Sequence, residues 1–123
     1  MRRRPDGADL LAAAQRLLRG KLLEALGDAH KHDGLMIANA MAVAARQLEA
    51  GDTPALREHI SLLELLGGTH PHPLSLAEGS RELGRRLRAG AADPGQPGRE
   101  ALLAHLRDVT RQQVLESNPK YFD

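Results

Sequence analysis

Leucine returns at three- and four-residue steps along most of this chain. Leu10, Leu11, Ala14, Leu17, Leu18, Leu22 and Leu26 form the first series, Leu56, Ile60, Leu63 and Leu66 a later one, and Leu102, Leu103, Leu106, Val109 and Val114 the last. An α-helix repeats every 3.6 residues, so this spacing gathers apolar side chains on one side of a helix; a strand would need strict alternation. Leu and Ala supply about a third of the 123 residues and favour helix, while the β-branched residues that favour sheet are scarce. The expected fold class is all-α: a single-domain bundle of about five helices over residues 1–123, a length that suits one modest core.

Capping residues and glycines divide the chain. The first helix is expected over 7–26, with Asp6 as N-cap, Asp9 favouring the positive helix end and Gly27 as a left-handed stop. The second starts from Asp33 as cap, after a loop Asp28-Ala29-His30-Lys31-His32, and ends at Gly51. Leu35 through Ala45 is apolar except for Asn39, so this helix is expected at the centre, enclosed on all sides, with Ile37, Met41, Ala44 and Leu48 as its bulky stripe. Thr53 as N-cap and Pro54 at the first helical position open the third helix, which Gly67-Gly68 ends. The fourth, over 75–89, turns Leu76, Leu83 and Leu87 inward and reads as the weakest, because Gly79 and Gly84 each cost about 1 kcal/mol relative to Ala. A mobile loop over 90–98 leads to a fifth helix over 99–116, and Asn118-Pro119 breaks it before a short tail. Tyr121 and Phe122, the chain's only aromatics, are expected to dock on the bundle.

Charge and composition exclude several functions. Seventeen Lys and Arg stand against sixteen Asp and Glu, so no net field draws nucleic acid or an anionic membrane. Two aromatics make no base-stacking platform. The absence of Cys removes disulfides, thiol nucleophiles and thiolate metal sites, and it fits a reducing compartment. Charged residues interrupt every apolar stretch short of the roughly 18 residues that would cross a bilayer. Asp6 and Asp9 precede the first Leu, which does not fit a secretory leader, so a cytoplasmic location is expected.

Catalytic patterns are missing: no HExxH, no P-loop, no GxGxxG, no GxSxG and no convincing carboxylate pair. No catalytic residue, metal or cofactor is therefore expected. His30 with His32, and His70 with His72, read as solvated loop histidines; an HxH pair with Asp33 would supply three metal ligands only if the chain made them converge. His59 and His105 read as hydrogen-bonded residues at the edge of the core. Arg81, Arg85 and Arg88 form one stripe of the fourth helix, with Glu78 and Glu82 beside it. Asn39 and Arg46 are the polar insertions in the apolar helix, two turns apart on one side. Leaving such groups unpaired when buried costs about 1–3 kcal/mol for the amide and more for the guanidinium. Two readings stay open: they answer backbone carbonyls, the C-terminal tail or neighbouring Glu residues, or they line a polar pocket or partner groove.

The stretch LMIANAMAVAARQLE (35–49), the ending SNPKY (117–121) and the opening RRPD (3–6) resemble a family of short bacterial proteins known as a domain of unknown function, from Arg4 to Tyr121. The family pattern falls on Arg4, Pro5, Met36, Asn39, Arg46, Asn118, Pro119 and Lys120. The resemblance implies genes placed beside acyl-CoA dehydrogenases and aminoglycoside-phosphotransferase-like kinases. The expected function is a non-catalytic accessory or protein-interaction module linked to such enzymes, with Asn39, Arg46, Asn118 and Lys120 as binding residues. A small-molecule module for an acyl-CoA or a phosphorylated acid, built on Arg46 with Arg81 or Arg85, is the alternative. A homodimer is a further expectation.

Overall fold

The computed structural model describes residues 3–68 and 72–123. The chain is all-α, and no strand occurs among the described residues. The helices are α1 (Gly7–Leu17), a π-helical turn (Leu18–Leu22), α2 (Leu23–Ala25), α3 (Asp28–Ala50), α4 (Thr53–Leu66), α5 (Leu76–Arg88) and α6 (Arg99–Ser117), followed by a 3₁₀ turn (Pro119–Phe122). Two compact units divide them, residues 1–51 with 115–123, and residues 52–114.

In the first unit α1 and α2 lie against α3. Asp6 caps α1 as expected, and Asp9 closes a reciprocal box: Asp9 N donates to Asp6 Oδ1 at 2.9 Å and Asp6 N to Asp9 Oδ2 at 3.1 Å. A Cβ built on Gly7 would lie 3.4 Å from Leu48, and one built on Gly34 would lie 2.8 Å from Leu26. The early part of one rod thus meets the late part of the other, and the two run antiparallel. The π turn sets the contact at the far end. At 100° per residue an unbroken α-helix would carry Leu23 about 120° from the line of Leu11 and Leu18 that faces α3. The wider turn absorbs one extra residue. It swings Leu22 outward, to 52% exposure, and brings Leu23 and Leu26 round onto Gly34.

The expectation that the 35–45 stretch is enclosed on all sides is corrected. α3 buries Gly34, Ala38 and Ala45, whereas Met36, Ile37 and Leu48 are more than half exposed. Small side chains let the two rods approach closely, and the bulky stripe is left on the flank about 70° away. The start of α3 is corrected too: it begins at Asp28 rather than after Asp33. Gly27 is extended (φ −65°, ψ 159°) and acts as its N-cap, not as a left-handed stop. Asp28 in the first turn suits the positive end of the helix and pairs with Lys31 at 3.4 Å.

In the second unit Leu62, Leu66, Leu83 and Leu102 form the buried core, with Leu65, Leu74, Leu76, Leu87 and Leu106 packed against it. Of the expected line of α4 Leu66 is buried, but Leu56 and Ile60 are 59% and 60% exposed, and Leu62 takes the other inward place. Gly79 is the reason. It is buried on α5, and a Cβ there would stand 2.7 Å from Leu62 Cδ2, so α5 receives the Leu62 side chain where it has none of its own. The glycine read as a weakness is the seat of the α4–α5 contact. Asp52 rather than Thr53 occupies the N-cap position of α4, with Pro54 in the first turn. α5 starts with a second capping box: Ser75 N donates to Glu78 Oε1 at 3.0 Å and Glu78 N to Ser75 Oγ at 3.1 Å. The 90–98 segment is a string of turns. Gly90 (φ 94°) and Gly95 (φ 89°) reverse the chain, Asp93 N donates to Gly90 O, and Arg99 holds Ala92 O at 2.9 Å.

The two glycines of α5 should therefore respond oppositely to alanine. Gly79→Ala overpacks a fully buried leucine and should cost about 1–3 kcal/mol. Gly84→Ala meets nothing closer than Arg88 at 3.6 Å and should add up to about 1 kcal/mol from helix propensity alone. Urea unfolding of both variants checks this. The Ser75 backbone N–H holds the Glu78 carboxyl below its ordinary value of 4.5. The unfolded chain takes up that proton first as pH falls, so this contribution is complete above 4.5 and disappears as pH drops through the lowered folded value. Glu78→Gln should flatten the acid limb of the stability curve below that value, as read by thermal melts across pH.

Candidate functional site

The polar insertions of α3 both find partners inside the first unit, and the partners differ. Asn39 is exposed, and its Oδ1 accepts from an Arg19 guanidinium nitrogen at 2.6 Å. Arg46 is half-buried. Its Nε donates to the Glu116 carbonyl at 2.6 Å and a terminal nitrogen donates to the Ser117 carbonyl at 3.4 Å. The last carbonyls of a helix have no donor within it and carry the negative end of its dipole. A guanidinium from a segment some seventy residues away satisfies both needs at the end of α6. Of the two readings of Arg46, the geometry gives the one in which it answers terminal carbonyls.

That anchor fixes the base of the tail. Beyond Ser117 the chain leaves the helix at Asn118 (φ −152°, ψ 74°) and turns through Pro119–Phe122, with Tyr121 N donating to the Asn118 carbonyl at 3.0 Å. The Tyr121 and Phe122 rings meet edge to face, their centres 5.3 Å apart. The expectation that they dock on the bundle is corrected for the tyrosine, which is 71% exposed; Phe122 is 40% exposed. Asn118 and Lys120 are exposed on the same turn. Of the four expected binding residues, Arg46 supports the helix end from which Asn118 and Lys120 extend, and Asn39 is engaged by Arg19 instead.

The histidines do not converge. His30 and His32 lie inside α3 rather than in a loop, and residues two apart on a helix point about 200° away from each other, so they cannot share an ion. His70 lies outside the described residues, and His72 is exposed. No cluster of three metal-binding side chains occurs among the described residues. His59 Nε2 lies 2.8 Å from the Leu74 carbonyl; a carbonyl only accepts, so that nitrogen carries the hydrogen. His105 is 5% exposed, and its Nδ1 sits 2.7 Å from Ser61 Oγ. Both are hydrogen-bonded helix histidines, as the sequence suggests.

Glu82 organises the arginines of α5. It pairs with Arg85 and, at 3.1 Å, with Arg86 Nε. The Arg86 hydrogen bond, with Arg85 adding its charge, holds this carboxyl below the ordinary range. Arg86 also donates to the Leu66 carbonyl at 3.1 Å, closing the end of α4 as Arg46 closes α6. Sequence reasoning took Arg81, Arg85 and Arg88 as the stripe and passed over Arg86. The spacing Glu82–Arg86, four residues apart on a helix, was the signal for it.

Replacing Arg46 tests the anchor. Arg46→Ala leaves two helix-end carbonyls without their donors and should cost about 1–3 kcal/mol, with faster amide exchange in the last turn of α6. Arg46→Lys should recover only part of this, because an ammonium lacks the planar fork that reaches two acceptors. Urea titration and exchange mass spectrometry read both effects.

No curated protein and no solved structure matches this chain. A family match runs over residues 24–121 and takes in α3 to α6 and the tail to Tyr121, leaving Arg4 and Pro5 of the resembling opening outside it. Covering about four-fifths of the sequence, it shows that the chain belongs to the family described as Domain of unknown function (DUF6285).

Proposed function

We propose that this chain is a non-catalytic accessory module that binds another protein through its aromatic tail. The observation that carries this reading is the exposed Tyr121–Phe122 pair standing on a helix end that Arg46 holds in place. Aromatic side chains bury large area at small entropic cost, and they dominate interface energies when they enter a partner's pocket. A fixed base lowers the ordering cost of docking. Asn118 and Lys120 on the same turn supply the polar rim. The partners to which the family resemblance points are acyl-CoA dehydrogenases and aminoglycoside-phosphotransferase-like kinases of a bacterial cytoplasm.

The test is binding of the purified chain to a co-expressed dehydrogenase or kinase of that kind from the same genome, by calorimetry. Tyr121→Ala with Phe122→Ala should weaken binding about thirtyfold or more, as loss of hot-spot residues does, without changing the helical circular dichroism. Equal affinity with and without the two rings overturns the reading.

A further inference from the structure

Charge is unevenly placed in the second unit. Eight arginines balance eight Asp and Glu over residues 52–114, yet residues 81–88 hold four arginines against one glutamate. Projected at about 100° per residue, Arg81, Arg85 and Arg88 fall within about 60° of one another, on the side of α5 away from Leu76, Leu83 and Leu87. The core takes those leucines, so the arginine row faces outward, and all three arginines are exposed. The neighbouring acids are already committed. Glu82 holds Arg86 and Arg85, and Glu78 accepts from the Ser75 backbone N–H. Arg81 and Arg88 hold no hydrogen bond or ion pair among the described residues. The dipole of α5 favours cations in its last turn, which accounts for Arg85 and Arg88 but not for Arg81.

Along the row lies an open hollow of about 610 Å³, lined, among the described residues, by α5 alone. Gly84 forms its floor. It stands one turn after Arg81 and one turn before Arg88, it carries no side chain, and Arg88 Nη1 lies 3.6 Å from where a Cβ would stand. The site is elongated, since the row runs about 10 Å at about 1.5 Å per residue. A small anion would find no enclosure there, whereas small-ligand sites bury most of their ligand. The face carries no apolar side chain larger than Ala77 to enter a membrane and no aromatic ring to stack on a base. We infer that this face of α5 docks an acidic helix of a partner protein, one whose Glu or Asp residues recur at matching four- and three-residue steps and set a carboxylate against each guanidinium. Guanidinium and carboxylate pair as planar groups, and two helices side by side repeat at the same spacing. This face belongs to the second unit and the aromatic tail to the first, so the inference goes beyond the proposed function and does not rest on it.

The probe is a fluorescein-labelled alanine-rich helix carrying Glu at those steps, with its Gln counterpart as control. Fluorescence anisotropy with the full chain should show saturable binding of the Glu helix, weakening as salt rises from about 50 to about 300 mM, and none of the Gln helix. Arg81→Gln with Arg88→Gln should weaken that binding about tenfold or more, as the loss of two charged contacts does. Neither side chain supports the fold, so helical circular dichroism should persist. Arg57→Gln with Arg107→Gln removes the same charge from exposed positions on α4 and α6 and should leave the affinity unchanged. No saturable binding of the Glu helix, equal affinity for the Gln helix, or indifference to the loss of Arg81 and Arg88 overturns the inference. So does a single-stranded oligonucleotide or inorganic phosphate that displaces the helix at equal concentration.

Discussion

Close approach at small residues is the constraint on which this structure rests. With one Tyr, one Phe and no Trp, the chain cannot fill wide gaps between helices. It brings helices together instead, at Gly34, Ala38 and Ala45 in the first unit and at Gly79 in the second. Each contact then has little depth. Few side chains are fully enclosed, and Leu62 is the largest of them. The bulky residues that a sequence reader assigns to the interior fall on the flanks of these narrow seams. A chain built this way has apolar area left over once its own seams are closed.

Helix ends are the second theme. Close-packed helices still present unsatisfied carbonyls, and two arginines remote in sequence answer them: Arg46 at the end of α6 and Arg86 at the end of α4. A guanidinium suits this work, since it stays charged and presents several donors in a plane. At α5 the same side chain also holds Glu82, so one residue joins a helix-surface ion pair to a neighbouring helix end. The tail inherits its position from the α6 anchor, which links the packing of α3 to whatever the aromatic pair meets.

Much of this was readable from residues alone. Leucine spacing gave the helices, and Asp6, Gly51 and Gly67 marked their ends, because caps and stops act through local backbone chemistry. The inward faces were less readable. Bulk pointed to Ile37, Leu48, Leu56 and Ile60, whereas contact distance selected glycine and alanine, and distance belongs to a pair of helices rather than to one. The start of α3 was missed because His30 and His32 suggested a loop, although Asp28 is a sound first-turn residue. For Arg46, the cost of an unpaired guanidinium predicted an acceptor correctly. Arg19 as the partner of Asn39 depended on the register of two antiparallel helices, which no local pattern encodes.

The π turn at Leu18–Leu22 has an implication for length variation. One surplus residue is stored there, and it is the surplus that sets the phase of everything following it. Shortening the turn by a single position would restore an ordinary α-helix while Leu23 and Leu26 kept their bearing on Gly34. The rod is thereby buffered at one spot against a deletion that, anywhere else along it, would rotate half of its side chains off their partners.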